Sequence, residues 1–70
     1  MKKKKMYVFR YDSGYGDGLV FTDDPDDLTR FSKYTDFILL GVFDFPLDFL
    51  VALGYDVNNE FNTLEVFYAE

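Results

Sequence analysis

Apolar and polar residues segregate most sharply between Phe37 and Phe45, where Phe-Ile-Leu-Leu-Gly-Val-Phe-Asp-Phe carries a single charge. A run this apolar, bounded by Asp36 and Pro46 and too short to span a membrane, predicts a strand covered on both faces in the middle of a sheet. Upstream, residues 4–12 alternate, with Tyr7, Phe9 and Tyr11 on one face of a strand and Met6, Val8 and Arg10 on the other. Ser13-Gly14-Tyr15-Gly16-Asp17-Gly18 follows, and its glycines at every second position suit the positive φ angles of a hairpin loop. A second strand is expected from Leu19 to Thr22. The closing strand, Phe61 to Tyr68, puts Leu64, Val66 and Tyr68 on one face and Thr63, Glu65 and Phe67 on the other.

Between the strands the period lengthens. Thr22-Asp23-Asp24-Pro25-Asp26-Asp27 reads as a helix start, with Asp24 as N-cap, Pro25 at the first helical position and two carboxylates complementing the helix dipole. Leu28, Phe31 and Tyr34 or Thr35 recur at helical spacing, and Arg30 and Lys33 fall near the helix end, where cations are favoured. After Pro46, Leu47-Asp48-Phe49-Leu50-Val51-Ala52-Leu53 predicts a second short helix closed by Gly54. Its apolar residues surround nearly the whole circumference, so it must be covered on more than one side or be partly extended. A chain of 70 residues offers little material for that, which marks Leu47, Phe49, Leu50 and Leu53 as a candidate interface of a homodimer or larger homo-oligomer. Tyr55 to Asn59 reads as a turn. The order β-β-α-β-α-β places residues 6–70 in one α+β domain, mainly an antiparallel sheet with one or two short helices packed on it. Residues 1–5 are expected to be a flexible lysine-rich extension.

Composition narrows the chemistry. With no cysteine and no histidine, disulfides and the common zinc and iron sites are excluded, leaving only oxygen-ligand metals. Nine Phe and six Tyr exceed what so small a core can bury, so some belong to an interface. Lys2 to Lys5 hold four of the seven bases, so residues 6–70 set three bases against thirteen acids, a net of −10. That body should repel nucleic acid and anionic membranes, so neither is an expected direct partner. The lysine run resembles the start of a signal peptide, but Arg10, Asp12 and three glycines stand where its apolar segment would be. A cytoplasmic location is expected, and the absence of cysteine fits a reducing compartment.

No motif points firmly to catalysis. The glycine loop could cradle phosphate, yet such loops lead into a helix N-terminus and this one leads into a strand, with Asp17 repelling the ligand. Asp23, Asp24, Asp26 and Asp27 could chelate calcium or magnesium, but the EF-hand pattern is missing and helix capping explains the cluster. Asp44 and Asp48 could do acid-base work only if they shared a cleft, and there is no histidine base or cysteine nucleophile beside them. Asp44, on the face of Ile38, Leu40 and Val42, marks either the point where its strand reaches the sheet rim or a partner for Arg10 or Lys33.

These features imply a non-enzymatic binding protein, without cofactor or metal, that covers a partner protein's basic, nucleic-acid-binding surface. Its carboxylates would stand in for phosphates, as in small acidic phage and mobile-element inhibitors, an analogy of composition alone. The expected contact residues are Tyr15 and Asp17 at the hairpin tip and Asp23, Asp24, Asp26 and Asp27 at the helix start. The alternatives are a self-assembling domain and a nucleotide-binding protein. In the latter, Tyr7, Phe9 and Tyr11 would stack on a base while Arg10 and the glycine loop hold phosphate.

Overall fold

The computed structural model describes residues 2–12, 16–28 and 36–68. Strand β1 (Lys3–Asp12) pairs antiparallel with β2 (Asp17–Thr22), from Asp12 opposite Asp17 to Tyr7 opposite Thr22. Strand β3 (Asp36–Pro46) runs antiparallel along the other side of β1, the chain turns through helix α1 (Leu47–Ala52), and β4 (Thr63–Tyr68) pairs antiparallel with β2. The sheet order is β3-β1-β2-β4. Among the described residues this is a small α+β fold of four antiparallel strands and one short helix. Where the first helix is predicted to begin, Pro25–Leu28 form a 3-10 turn, and its predicted continuation through Phe31 to Thr35 lies outside the described residues. Strand β1 begins at Lys3, so Lys3, Lys4 and Lys5 stand opposite Pro46, Phe45 and Asp44. The sheet thus takes in most of the lysine run that the sequence reading assigns to an extension.

The alternation in β1 sorts the two faces as expected. Met6 and Val8 join Phe21, Leu64 and Leu50 in the main core, where Met6 and Leu50 are 0% exposed. Tyr11 and Val20 form a smaller cluster on the opposite face, with Phe9 and Phe37 packed against it. Helix α1 is short because its ends are both specified. Pro46 is its N-cap, one position before the place Pro favours, and Leu47 N–H donates to the Lys2 carbonyl at 2.9 Å. At the other end Gly54, with φ of 113°, donates to the Val51 carbonyl at 3.0 Å while Tyr55 N–H reaches Leu50 O at 2.9 Å. Those two bonds make a Schellman cap, and they require at Gly54 a backbone conformation that side-chain-bearing residues avoid.

The Phe37–Phe45 run is where sequence and structure part. Predicted to be central, it is an edge strand of 11 residues. The central positions go to β1 and β2, because a hairpin whose two strands each gain a second neighbour has no free edge, and an apolar run does not specify which neighbour it gains. Strand β3 also carries a bulge: Val8 stands opposite Gly41 and Phe9 opposite Leu39, leaving Leu40 without a counterpart on β1. The bulge breaks part of the face-sharing predicted for Asp44, which stands opposite Lys5 on the Tyr7 side of the sheet together with Val42, whereas Ile38 stands opposite Arg10 on the other side. Gly41 makes room for the Phe43 ring, since a Cβ there would lie 2.7 Å from Phe43 Cζ.

Gly18 has a role other than the turn conformation predicted for it. The Tyr11 ring lies across it, and a Cβ on Gly18 would collide with Tyr11 Cε1. This close approach lets the Tyr11 hydroxyl donate to Glu65 Oε1 at 2.6 Å, two strands away. Burial, the hydrogen bond to Glu65 and the charge of that carboxylate push the Tyr11 phenol up from 10.0 to about 12. Between those values the folded protein keeps a proton that the unfolded chain has lost. The stabilisation is therefore fully present below pH 10 and disappears as pH rises toward 12. Urea denaturation across this range should show stability falling with pH. Tyr11→Phe should flatten that part of the curve and cost about 1 kcal/mol at neutral pH through loss of the bond to Glu65.

Candidate functional site

Two loops meet at one end of the sheet, and Asn62 joins them. Its backbone N–H donates to Asp23 Oδ1 at 2.7 Å, and its carbonyl accepts from Asp23 N–H at 3.1 Å. Its side chain accepts from Asp56 N–H through Oδ1 and donates to the Asp56 carbonyl through Nδ2, both at 3.1 Å. Asn62 is only 6% exposed, so one buried amide holds the segment after β2 against the loop before β4. Two further side-chain turns stiffen the junction. Asp24 Oδ1 accepts from Asp26 N–H at 3.2 Å, and Asp56 Oδ1 accepts from Asn58 N–H at 2.9 Å. Thr22 Oγ1 accepts from Asp24 N–H at 3.0 Å and lies 3.0 Å from Thr63 Oγ1.

The consequence is an acidic end. Asp26, Asp56 and Glu60 are exposed there, beside the half-buried Asp23 and Asp24. Every base among the described residues lies between Lys2 and Arg10, so none of the described residues from 16 to 68 offsets these carboxylates within its own segment. Asp56 and Glu60 were not legible as site residues, because Asp-Val-Asn-Asn-Glu reads as a turn and nothing local says which loop it docks against. Among the described residues, no three acidic side chains converge as a shared metal ion would require.

The expected contact residues divide between surface and scaffold. Asp26 faces solvent. Asp23 is engaged by Asn62, and its Oδ2 is shielded from solvent with no hydrogen-bond partner among the described residues. Asp24 caps the 3-10 turn, and Asp27 belongs to that turn. Asp17 lies at the opposite end of β2, where Arg10 Nη2 donates to its Oδ2 at 2.8 Å. Tyr15 lies outside the described residues. The acids expected to form one surface are therefore placed at both ends of β2.

Beside the Arg10–Asp17 pair is an open hollow of about 260 Å³ lined by Arg10, Tyr11, Asp12, Asp17 and Ile38. Two carboxylates around a single guanidinium make a poor phosphate site, since the anion would displace one acid and lie beside the other.

A different surface runs along β3. Ile38, Leu39, Leu40, Val42 and Phe43 are between 43% and 59% exposed, on both faces of the strand. An aromatic row continues this surface onto α1: Phe43 meets Phe45 edge-on at 6.3 Å, and Phe45 stacks on Phe49 at 5.8 Å. Of the four residues marked as an oligomer interface, Leu50 is fully buried in the core, Leu47 and Leu53 are half-buried, and Phe49 is exposed. The helix therefore buries one side within its own chain and presents Phe49 and Val51 outward.

No family model, curated protein or solved structure matches this chain. Asn62→Ala removes the two side-chain hydrogen bonds to Asp56 and a longer one, 3.5 Å, to the Asn59 carbonyl, and leaves the Asp56 amide without its partner. It should lower stability by about 2–3 kcal/mol in urea denaturation, whereas the exposed Glu60→Gln should change it by less than about 0.5 kcal/mol.

Proposed function

We propose that this protein is a small non-enzymatic binding protein that acts by covering a basic surface on a partner protein. The supporting observation is the acidic end, where Asn62 holds Asp26, Asp56 and Glu60 in two docked loops with no base in either described segment. Loops fixed to a rigid sheet present charges in a constant arrangement, which favours a specific partner over diffuse attraction. A basic groove that otherwise receives nucleic-acid phosphates is the chemistry that such a row of carboxylates fits. Contact of this kind speeds association and weakens as salt screens it.

The test is retention of basic, nucleic-acid-binding proteins from host lysate, followed by titration of the purified partner at increasing salt. The intact chain should bind with an affinity that falls steeply with salt and should compete with nucleic acid. The triple variant Asp26→Lys, Asp56→Lys, Glu60→Lys should retain its circular dichroism and lose binding by at least about 100-fold, the loss of three favourable charge contacts. Binding unaffected by the triple reversal, or no basic protein retained, would overturn the reading.

A further inference from the structure

We infer that the free edge of β3 is a self-association seam, on which a second copy of this chain adds its own β3 antiparallel, joining two four-stranded sheets into one. This goes beyond the acidic-end reading and uses a different surface. From Ile38 to Phe45, β3 pairs with β1 and with no other strand among the described residues, so none of these strands meets the backbone donors and acceptors on its other side. Edge strands usually discourage pairing with charge, and β4, at the opposite edge, carries the exposed Glu65 in a strand of only 6 residues. Residues 37–43 of β3 carry none.

Three features select a second copy as the occupant. The first is the distribution of exposed apolar side chains. Leu39 and Val42 lie on the Tyr7–Phe9 face, while Ile38 and Phe43 lie on the Met6–Arg10 face. A partner resting on one face would leave the other wet, whereas a strand in the sheet plane covers both. The second is charge. Residues 6–70 carry a net −10, so two copies repel over most of their surface and approach most easily along an uncharged strip. The third is direction. At the start of β3, Asp36 stands opposite Asp12; at its end, Phe45 and Pro46 stand opposite Lys4 and Lys3, with Lys5 opposite Asp44. Antiparallel self-pairing brings the acidic start of one β3 beside Asp44 of the other and, two strand spacings or about 10 Å across, its Lys3, Lys4 and Lys5, so that end sets three bases against one acid. Parallel pairing would set lysine end against lysine end. An antiparallel pair of identical strands is also closed by a two-fold axis, so it stops at a dimer.

The exposed parts of the five side chains amount to on the order of 400 Å² per protomer, within the range of a large functional patch. That is about half of the ~800 Å² a standard interface buries on each partner, so the dimer should be of micromolar strength and concentration-dependent.

Sedimentation equilibrium from one micromolar to one millimolar, on the order of the range a weak dimer spans, tests this. The intact chain should pass from monomer to dimer and stop there. Leu40→Lys places a charge on the seam at the one β3 residue without a β1 counterpart, so it should keep the circular dichroism of the intact chain and remain monomeric. Val42→Lys serves the same purpose should Leu40→Lys fail to fold. Val57→Lys adds the same charge at a loop residue that is 62% exposed and should dimerise like the intact chain. A monomer at every concentration, or dimers that persist in a folded Leu40→Lys or Val42→Lys chain, would overturn the inference. A monomer that still binds a basic partner would defeat the seam alone, and a dimer that binds none would defeat the acidic-end reading alone.

Discussion

The ladder between β1 and β3 is the interaction on which the remaining structure depends. It comprises ten residue pairs, from Lys3 opposite Pro46 to Asp12 opposite Asp36. With β2 on the other side, it makes β1 an interior strand, which is how Met6 and Val8 reach near-complete burial in so short a chain. It also fixes the position of Pro46, and so the start of α1, whose first N–H is bonded back to the Lys2 carbonyl. Through α1 the ladder places Leu50 over Met6, Val8, Phe21 and Leu64. A disturbance in β1–β3 registry would therefore be felt first in the core.

Among the described residues one short helix packs on the four-stranded sheet, and the apolar surface it covers is unevenly distributed. Beneath α1 the packing is dense, with Phe21, Phe45 and Phe49 in mutual ring contact. Along β3, about half of Ile38, Leu39, Leu40, Val42 and Phe43 remains in water, at the cost of lost hydrophobic stabilisation. Residues 37–43 of that strip carry no charge, with Asp36 and Asp44 at its two ends. Other acids lie in the loops joined by Asn62, beside Arg10 near the hairpin end and at Asp48 and Glu65, and described bases lie on β1 or just before it. Greasy edge and charged loops are thus separate surfaces of one small body, and contact at one leaves the other free.

Much of the architecture was legible from local chemistry. Alternation in β1 and β4 predicted strands and faces, the glycine loop between Asp12 and Leu19 predicted a hairpin, and Gly54 predicted the end of α1. Each rests on a property of one residue or its near neighbours: side-chain period, φ preference or a missing Cβ. The readings that failed concern distant partners. The nine-residue apolar run did not reveal that its strand lies at an edge, and Gly18 did not reveal that its hydrogen is needed to admit the Tyr11 ring. Nor could Asp56 and Glu60 be assigned to the same end as Asp26 before Asn62 was seen to bridge their loops.

The sequence by itself therefore determined that this is a small acidic α+β protein with a hairpin at its start, because periodicity, turn residues and net charge are local or additive quantities. Which strands became interior, which acids became neighbours and which apolar residues stayed in water was decided only by the tertiary structure. Strand order and loop docking depend on pairings between residues far apart in the chain, and their free energies have no counterpart in any local stretch.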